Sequence, residues 1–311
     1  MDGLATSRQQ IRTRIEALRA AMRRQGLSAW IAPTSDPHLS EYLPARWKSR
    51  EWLSGFTGSA GTLIVGADHA RLWVDSRYWV QADAELAGSG IEPVKVASAA
   101  SSAFIDWLGE HAVQGSTVGA DGAVLGLAVA RAIEAALAQR DARLRVDLDL
   151  LDEIWAQRPG LPREAIFEHG ERFAPLSRAA RLDGLRNQMR LIGADWHLIS
   201  SLDDIAWLLN LRGADVPYNP VFLAHVLVGP RSASLFVADG KLSGELAARL
   251  RADGIEVVDY AQAEARVAAV APGSSLLIDP RRVTLKLVRA VAPGVRLIEH
   301  VNPTTLSKSR K

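Results

Sequence analysis

Polar and apolar positions alternate in blocks along the chain, and the blocks come twice. From residue 1 to Gly26 the pattern is charged and helical, with Arg8, Arg12, Arg14 and Glu16 interrupting any apolar run. Residues 22–26 close this helix, and the apolar run 27–32 that follows predicts a buried strand. The same succession returns at residues 189–193 and 194–199. In both places a glycine ends the helix, as a left-handed C-terminal cap requires. Further on, residues 62–66 and 70–75 predict a hairpin around Gly66, Ala67, Asp68 and His69, which have suitable turn chemistry. Residues 223–228 and 233–238 predict a second hairpin around Gly229, Pro230 and Arg231.

Other echoes keep the same order. Trp52 and Leu53 precede Gly58 as Trp207 and Leu208 precede Gly213. Val65 and Gly66 with Leu72–Val74 match Val228 and Gly229 with Leu235–Val237, and residues 90–92 match residues 254–256. Offsets of roughly 155 to 167 positions, kept in order, indicate an internal duplication. Each copy reads as helix, strand, helix, a hairpin of two or three strands, helix and strand. The predicted fold class is therefore α/β, two similar domains each with a mixed β-sheet flanked by helices. The proline-rich passage at residues 157–163 marks the boundary and gives domains at residues 1–159 and 160–311.

Composition narrows the classes of function. The 311 residues carry 37 Lys and Arg against 35 Asp and Glu, a net charge of +2, so no basic stripe points to nucleic acid. Cysteine is absent, which removes disulfides, thiolate metal sites and cysteine nucleophiles and fits a reducing compartment. The first residues lack the apolar core and small-residue cleavage site of a secretory signal. No stretch reaches the about 18 to 20 apolar residues that span a bilayer; the nearest, 122–138, is broken by Arg131 and Glu134. The expected location is cytoplasmic.

The residues show no catalytic constellation of their own. The loop from Gly55 to Gly61 leads into a strand and not a helix, so it reads as a tight turn and not a phosphate cradle. The seven histidines (His38, His69, His111, His169, His197, His225 and His300) include no i, i+4 pair and no zinc-type helix motif. His197 interrupts an apolar strand and reads as a satisfied core histidine. Asp203 and Asp204 follow Ser200, Ser201 and Leu202 and read as a helix N-cap. No G-x-S-x-G elbow is present. Two polar stretches remain. Asp75, Ser76, Arg77 and Tyr78 end a strand; Arg77 is either a surface partner of Asp75 or a planar donor fork for a carboxylate or peptide carbonyl. The loop 211–222 is dense in Arg, Asp, Asn and Pro. It is either a binding loop or a structural one whose Asp215 and Asn219 bond their own backbone.

Taken together these stretches resemble the three-domain Xaa-Pro aminopeptidases (aminopeptidase P). The resemblance rests on residues 31–42, 54–62 and 75–78 for the first domain. For the second it rests on residues 152–155 with Arg158 and Pro159, on residues 202–213, and on residues 219–222. It implies two creatinase N-terminal-type domains, which in the family precede a catalytic domain of the pita-bread fold. It also implies what lies outside this chain: two divalent metals, usually manganese, held by Asp, His and Glu residues of the third domain. No metal ligand or catalytic residue is thus expected here. The whole enzyme would take peptides with proline at the second position and assemble as a homodimer. The family's first-domain arginine that helps bind the substrate peptide falls on Arg77, and the segment facing the catalytic domain places Arg212, Asp215 and Asn219 on the cleft rim. The C-terminal residues 306–311 resemble an interrupted helix entry. Two rival readings stand beside this one: a stand-alone binding or assembly module without peptidase activity, and a creatinase- or prolidase-type parent. The second rival normally carries only one such domain.

Overall fold

The computed structural model describes residues 7–98, 100–170 and 172–309. It divides into two compact units. The first holds the chain up to Asp36 together with Ala45–Gly160; the second holds Pro37–Pro44 together with the chain from Leu161 onward.

The first unit runs α1 (Arg8–Arg24), β1 (Ala29–Pro33), α2 (Ser49–Ser54), β2 (Thr62–Gly66), β3 (Ala70–Val74) and α3 (Trp79–Leu86). It continues with β4 (Glu92–Lys95), α4 (Ala103–His111), β5 (Thr117–Ala120), α5 (Leu127–Ala138), β6 (Arg143–Arg145) and α6 (Leu150–Ile154). Its six strands lie in the order β4-β3-β2-β1-β5-β6. The hairpin contacts β1–β2 and β2–β3 are antiparallel, and β3–β4, β1–β5 and β5–β6 are parallel.

The second unit repeats this plan. After β7 (Phe167–Glu168) come α7 (Arg178–Ile192), β8 (Trp196–Ile199), α8 (Leu202–Leu208), β9 (Leu211–Arg212), β10 (His225–Val228) and β11 (Ala233–Val237). There follow α9 (Gly244–Ala252), β12 (Ile255–Asp259), α10 (Ala263–Ala268), β13 (Ser275–Ile278), α11 (Leu285–Arg289), β14 (Arg296–Glu299) and α12 (Pro303–Lys308). The sheet order β12-β11-β10-β8-β13-β14 is that of the first unit, strand for strand. The antiparallel and parallel pairings match as well. The extra strands β7 and β9 form a small antiparallel ladder of their own.

Local chemistry explains the leading helices. Ser7 and Gln10 close a reciprocal capping box at the start of α1, and Ser177 caps α7 through the Ala180 amide. Gly26 (φ +67°) and Gly193 (φ +78°) take the left-handed turn after each helix, which a side chain disfavours. Ile11, Ile15, Leu18 and Met22 recur at helical spacing and pack under β2 and β3 against Leu63, Val65, Leu72 and Val74. Each such buried side chain contributes about 1.5–3 kcal/mol. Trp155, just past α6, stacks on Trp52 at 4.9 Å.

The mixed sheet and both hairpins follow the sequence pattern. Each unit nevertheless has six strands where the pattern indicated four or five. β6 and β14 are short, and their burial is no more than partial. β14 carries no alternating signal, whereas β6 lies in an alternating run, residues 142–148, that the pattern reading passed over; they pair with β13 and β5.

Candidate functional site

In the first unit, β3 delivers Asp75 to the end of the sheet, where its carboxylate caps a short 3₁₀ turn, Ser76–Tyr78, through the Arg77 amide at 3.1 Å. The Arg77 guanidinium returns to the same carboxylate in a fork, Nε to Oδ1 at 2.8 Å and an Nη to Oδ2 at 2.9 Å. This pairing holds Asp75 below the usual carboxylate range. Asp75 is buried, whereas 59% of the Arg77 side chain stays exposed over the Tyr78 ring. The pairing of Arg77 with Asp75 is thus realised.

The nearby glycine loop is organised by a cation the sequence reading did not single out. Arg50, 3% exposed, donates to Thr34 Oγ1 at 3.0 Å and to the carbonyls of Phe56 and Gly58. Carbonyls turned onto an arginine make this loop a poor anion cradle, in keeping with its reading as a turn.

The loop 211–222 carries the other three expected residues. Arg212 pairs with Phe167 in the small ladder and turns its guanidinium onto the carbonyls of Ala206 and Leu211, at 2.9 and 2.8 Å. Asp215 is enclosed: its carboxylate accepts from the Leu223 amide at 2.7 Å and from the ammonium of Lys241, both side chains having no exposed surface. Burial lowers the Lys241 pKa, and the Asp215 carboxylate opposes that. Asn219 closes a turn, its amide donating to the Val216 carbonyl at 3.2 Å. Among these three, Asn219 lines a cleft of about 510 Å³. Leu39, Ser40, Glu41 and Tyr42 form one wall of that cleft; Ser201, Asp203, Val221 and Arg282 are among its other lining residues.

Asp203 and Asp204 occupy the first turn of α8, and the N-cap position itself falls to Ser201. The sequence reading of a cap is corrected: Asp203 and Asp204 stand two and three positions past the cap, and both carboxylates are drawn to α12. Asp204, fully buried, accepts from Ser201 Oγ at 2.6 Å, Asn302 Nδ2 at 3.0 Å, Thr305 Oγ1 at 2.6 Å and Lys308 Nζ at 2.7 Å. Burial works to raise the pKa of Asp203, but Lys308 and Arg282 outweigh it and the net shift is downward. His197 is a satisfied core histidine, with ring nitrogens 3.0 Å from the Leu277 carbonyl and from Asn302 Oδ1.

Sequence reasoning missed a buried cluster in the second unit. His38, His225 and Tyr260 stack around Ser200, with the two imidazole centroids 4.5 Å apart. His38 and Tyr260 are 222 positions apart, so spacing carried no signal.

Comparison with known proteins agrees with this architecture. A family described as the creatinase/prolidase N-terminal domain matches residues 14–154, and a second family with the same description matches residues 157–311. The chain therefore belongs to the creatinase/prolidase N-terminal domain family, and carries the domain twice. It is similar to Xaa-Pro aminopeptidase 1 of Dictyostelium discoideum, 34% identical over 97% of this chain and 49% of that protein. Aminopeptidase P2 of Arabidopsis thaliana is 35% identical over 85% of this chain and 38% of its own length. The chain spans half or less of the curated relatives it matches. The crystal structure of an X-prolyl aminopeptidase from Caenorhabditis elegans, described as a cytosolic enzyme with a di-nuclear active site, superposes with a TM-score of 0.86. It covers 95% of this chain and 51% of that one at 23% identity, a likeness of fold. Among the described residues no helix is long and apolar enough to cross a membrane.

Proposed function

We propose that this chain is the two-domain N-terminal part of a Xaa-Pro aminopeptidase, a metallopeptidase that removes the N-terminal residue standing before proline. One observation carries the reading: a Xaa-Pro aminopeptidase aligns with 97% of this chain, yet the chain accounts for only 49% of it. The two divalent metals of such an enzyme, manganese by the resemblance, would activate water in the remaining part. The residues described here do not fit that task. No group of three His, Cys, Asp or Glu among them could hold a metal ion, and Asp203 and Asp204 are taken up by Lys308.

The part played by these domains is positional: to wall the cleft, restrict substrate length and support a cytoplasmic homodimer. Proline offers no amide hydrogen and fixes its φ, so a peptide carrying it is recognised through shape and through donors to its carbonyls. The largely exposed Arg77 guanidinium and the side-chain amide of Asn219 are donors of that kind. Arg212 and the enclosed Asp215 support the rim loop from within.

The mass of the native gene product, read with an antibody against these domains, tests the proposal. A species of about twice 33.7 kDa is expected. A native species at 33.7 kDa overturns the reading in favour of a stand-alone binding module.

A further inference from the structure

The segment Pro37–Pro44 follows β1 in sequence yet belongs to the second unit. Proline stands at both ends, with φ restricted at each. Between them His38 is 2% exposed. Its Nδ1 lies 2.9 Å from the Ser200 carbonyl, and its Nε2 lies 2.9 Å from the Tyr260 hydroxyl. A carbonyl only accepts, so Nδ1 carries the proton. In the neutral ring Nε2 then accepts from the Tyr260 hydroxyl.

The surroundings favour that neutral form. His225 of β10 lies against the His38 ring at 4.5 Å, and its own Nδ1 is 3.0 Å from Ser200 Oγ. Tyr260, after β12, faces both rings at 5.8 and 5.2 Å. Lys241, paired with Asp215, adds a positive field at His38. A charge on either imidazole therefore meets a buried neighbour, or a cation, that opposes it.

Two further features lie next to His38. Leu39 holds φ at +52°, a left-handed conformation that persists in a non-glycine residue where its surroundings over-determine it. Residues 39–42 then form one wall of the cleft that Asn219 lines.

We propose that His38 is the positioning residue of this strap: as a neutral imidazole spanning Ser200 and Tyr260 it seats residues 39–42 as a cleft wall, and its protonation releases that wall. Burial pushes the His38 pKa down to about 3. A released strap returns it to its ordinary value of about 6.5. Opening therefore takes up a proton, and the opening constant rises about 25-fold between pH 7 and pH 5 from His38 alone.

Glutamyl endopeptidase reads the strap directly, because Glu41 is exposed within it and cleavage requires local release. Cleavage after Glu41 is compared with cleavage after Glu110 in α4 and Glu264 in α10. Each rate is divided by that of a free peptide of the same sequence, which removes the protease's own pH response. In the 311-residue chain the Glu41 rate should rise about 25-fold from pH 7 to pH 5 relative to both reference sites. His38→Asn keeps a donor toward Ser200 and has no titrating nitrogen. Its acid response at Glu41 should be smaller than that of the unsubstituted chain by about that factor. Tyr260→Phe removes the donor to Nε2 and should speed Glu41 cleavage at pH 7 with Glu110 and Glu264 unchanged, so the proposal stays testable even where His38→Asn fails to fold. It is overturned by a Glu41 rate that is flat with pH or moves in step with the reference sites, by His38→Asn keeping the full acid response, or by Tyr260→Phe leaving Glu41 unchanged. The assay reads strap release and no peptidase activity, so its failure leaves the proposed parent enzyme standing.

Discussion

Arg77 illustrates how one side chain can serve structure and recognition together. Its fork onto Asp75 fixes the guanidinium, so little rotamer freedom remains to be lost when a peptide carbonyl meets it. In the proposed whole enzyme, Arg77→Ala should raise KM about tenfold or more with kcat less affected, the loss expected when a charged hydrogen bond of about 1.5–3 kcal/mol is removed. Steady-state kinetics on a Xaa-Pro peptide would check this, and an unchanged KM removes Arg77 from the site. The residue type and its place at a strand end were legible in the sequence. The pairing of Arg77 with the carboxylate two positions earlier was legible only as one of two alternatives, since a 3₁₀ turn had to bring them together.

At the scale of elements, the rim loop between β9 and β10 is held by a buried charge pair. Asp215 ties the loop to the start of β10 through the Leu223 amide and to the segment after β11 through Lys241. Removing one partner of a buried pair leaves the other charge without compensation, at about 3–5 kcal/mol; replacing both with apolar residues is often neutral. Denaturant unfolding should therefore show Asp215→Leu strongly destabilised. The double variant Asp215→Leu with Lys241→Met should recover most of the loss. A double variant as unstable as the single would mean that packing, and not charge, limits the loop. The sequence marked this loop as polar, with a structural and a binding reading both open. Burial decides for Asp215, because a side chain with no exposed surface supports the loop from within.

Across the whole molecule, acid should act first through buried histidines. Burial holds His38 near 3 and pushes His225 and His197 below 6.5. Between those values and about 6.5 the unfolded chain binds more protons than the folded one, so stability present above pH 6.5 is lost as pH falls. Each fully suppressed imidazole costs about 1.4 kcal/mol by pH 5.5. The lowered carboxylates Asp75 and Asp203 lose their contribution only below about pH 4, so the two effects separate. Urea unfolding at pH 7.5 and 5.5 should show a loss that shrinks by about 1.4 kcal/mol in His38→Asn; an equal loss in both proteins would exclude His38 as a source. The sequence by itself determined the duplicated α/β plan, because helix caps, hairpin turns and apolar runs are local signals that recur in order. It also marked His197 as a core residue, since one polar position in an apolar strand is visible in a short window. The tertiary structure alone decided that Pro37–Pro44 joins the second unit and that His38 meets Tyr260. It likewise turned Asp203 and Asp204 toward α12. These groups are far apart in sequence, and burying polar atoms forces each to find its partner wherever the fold supplies one.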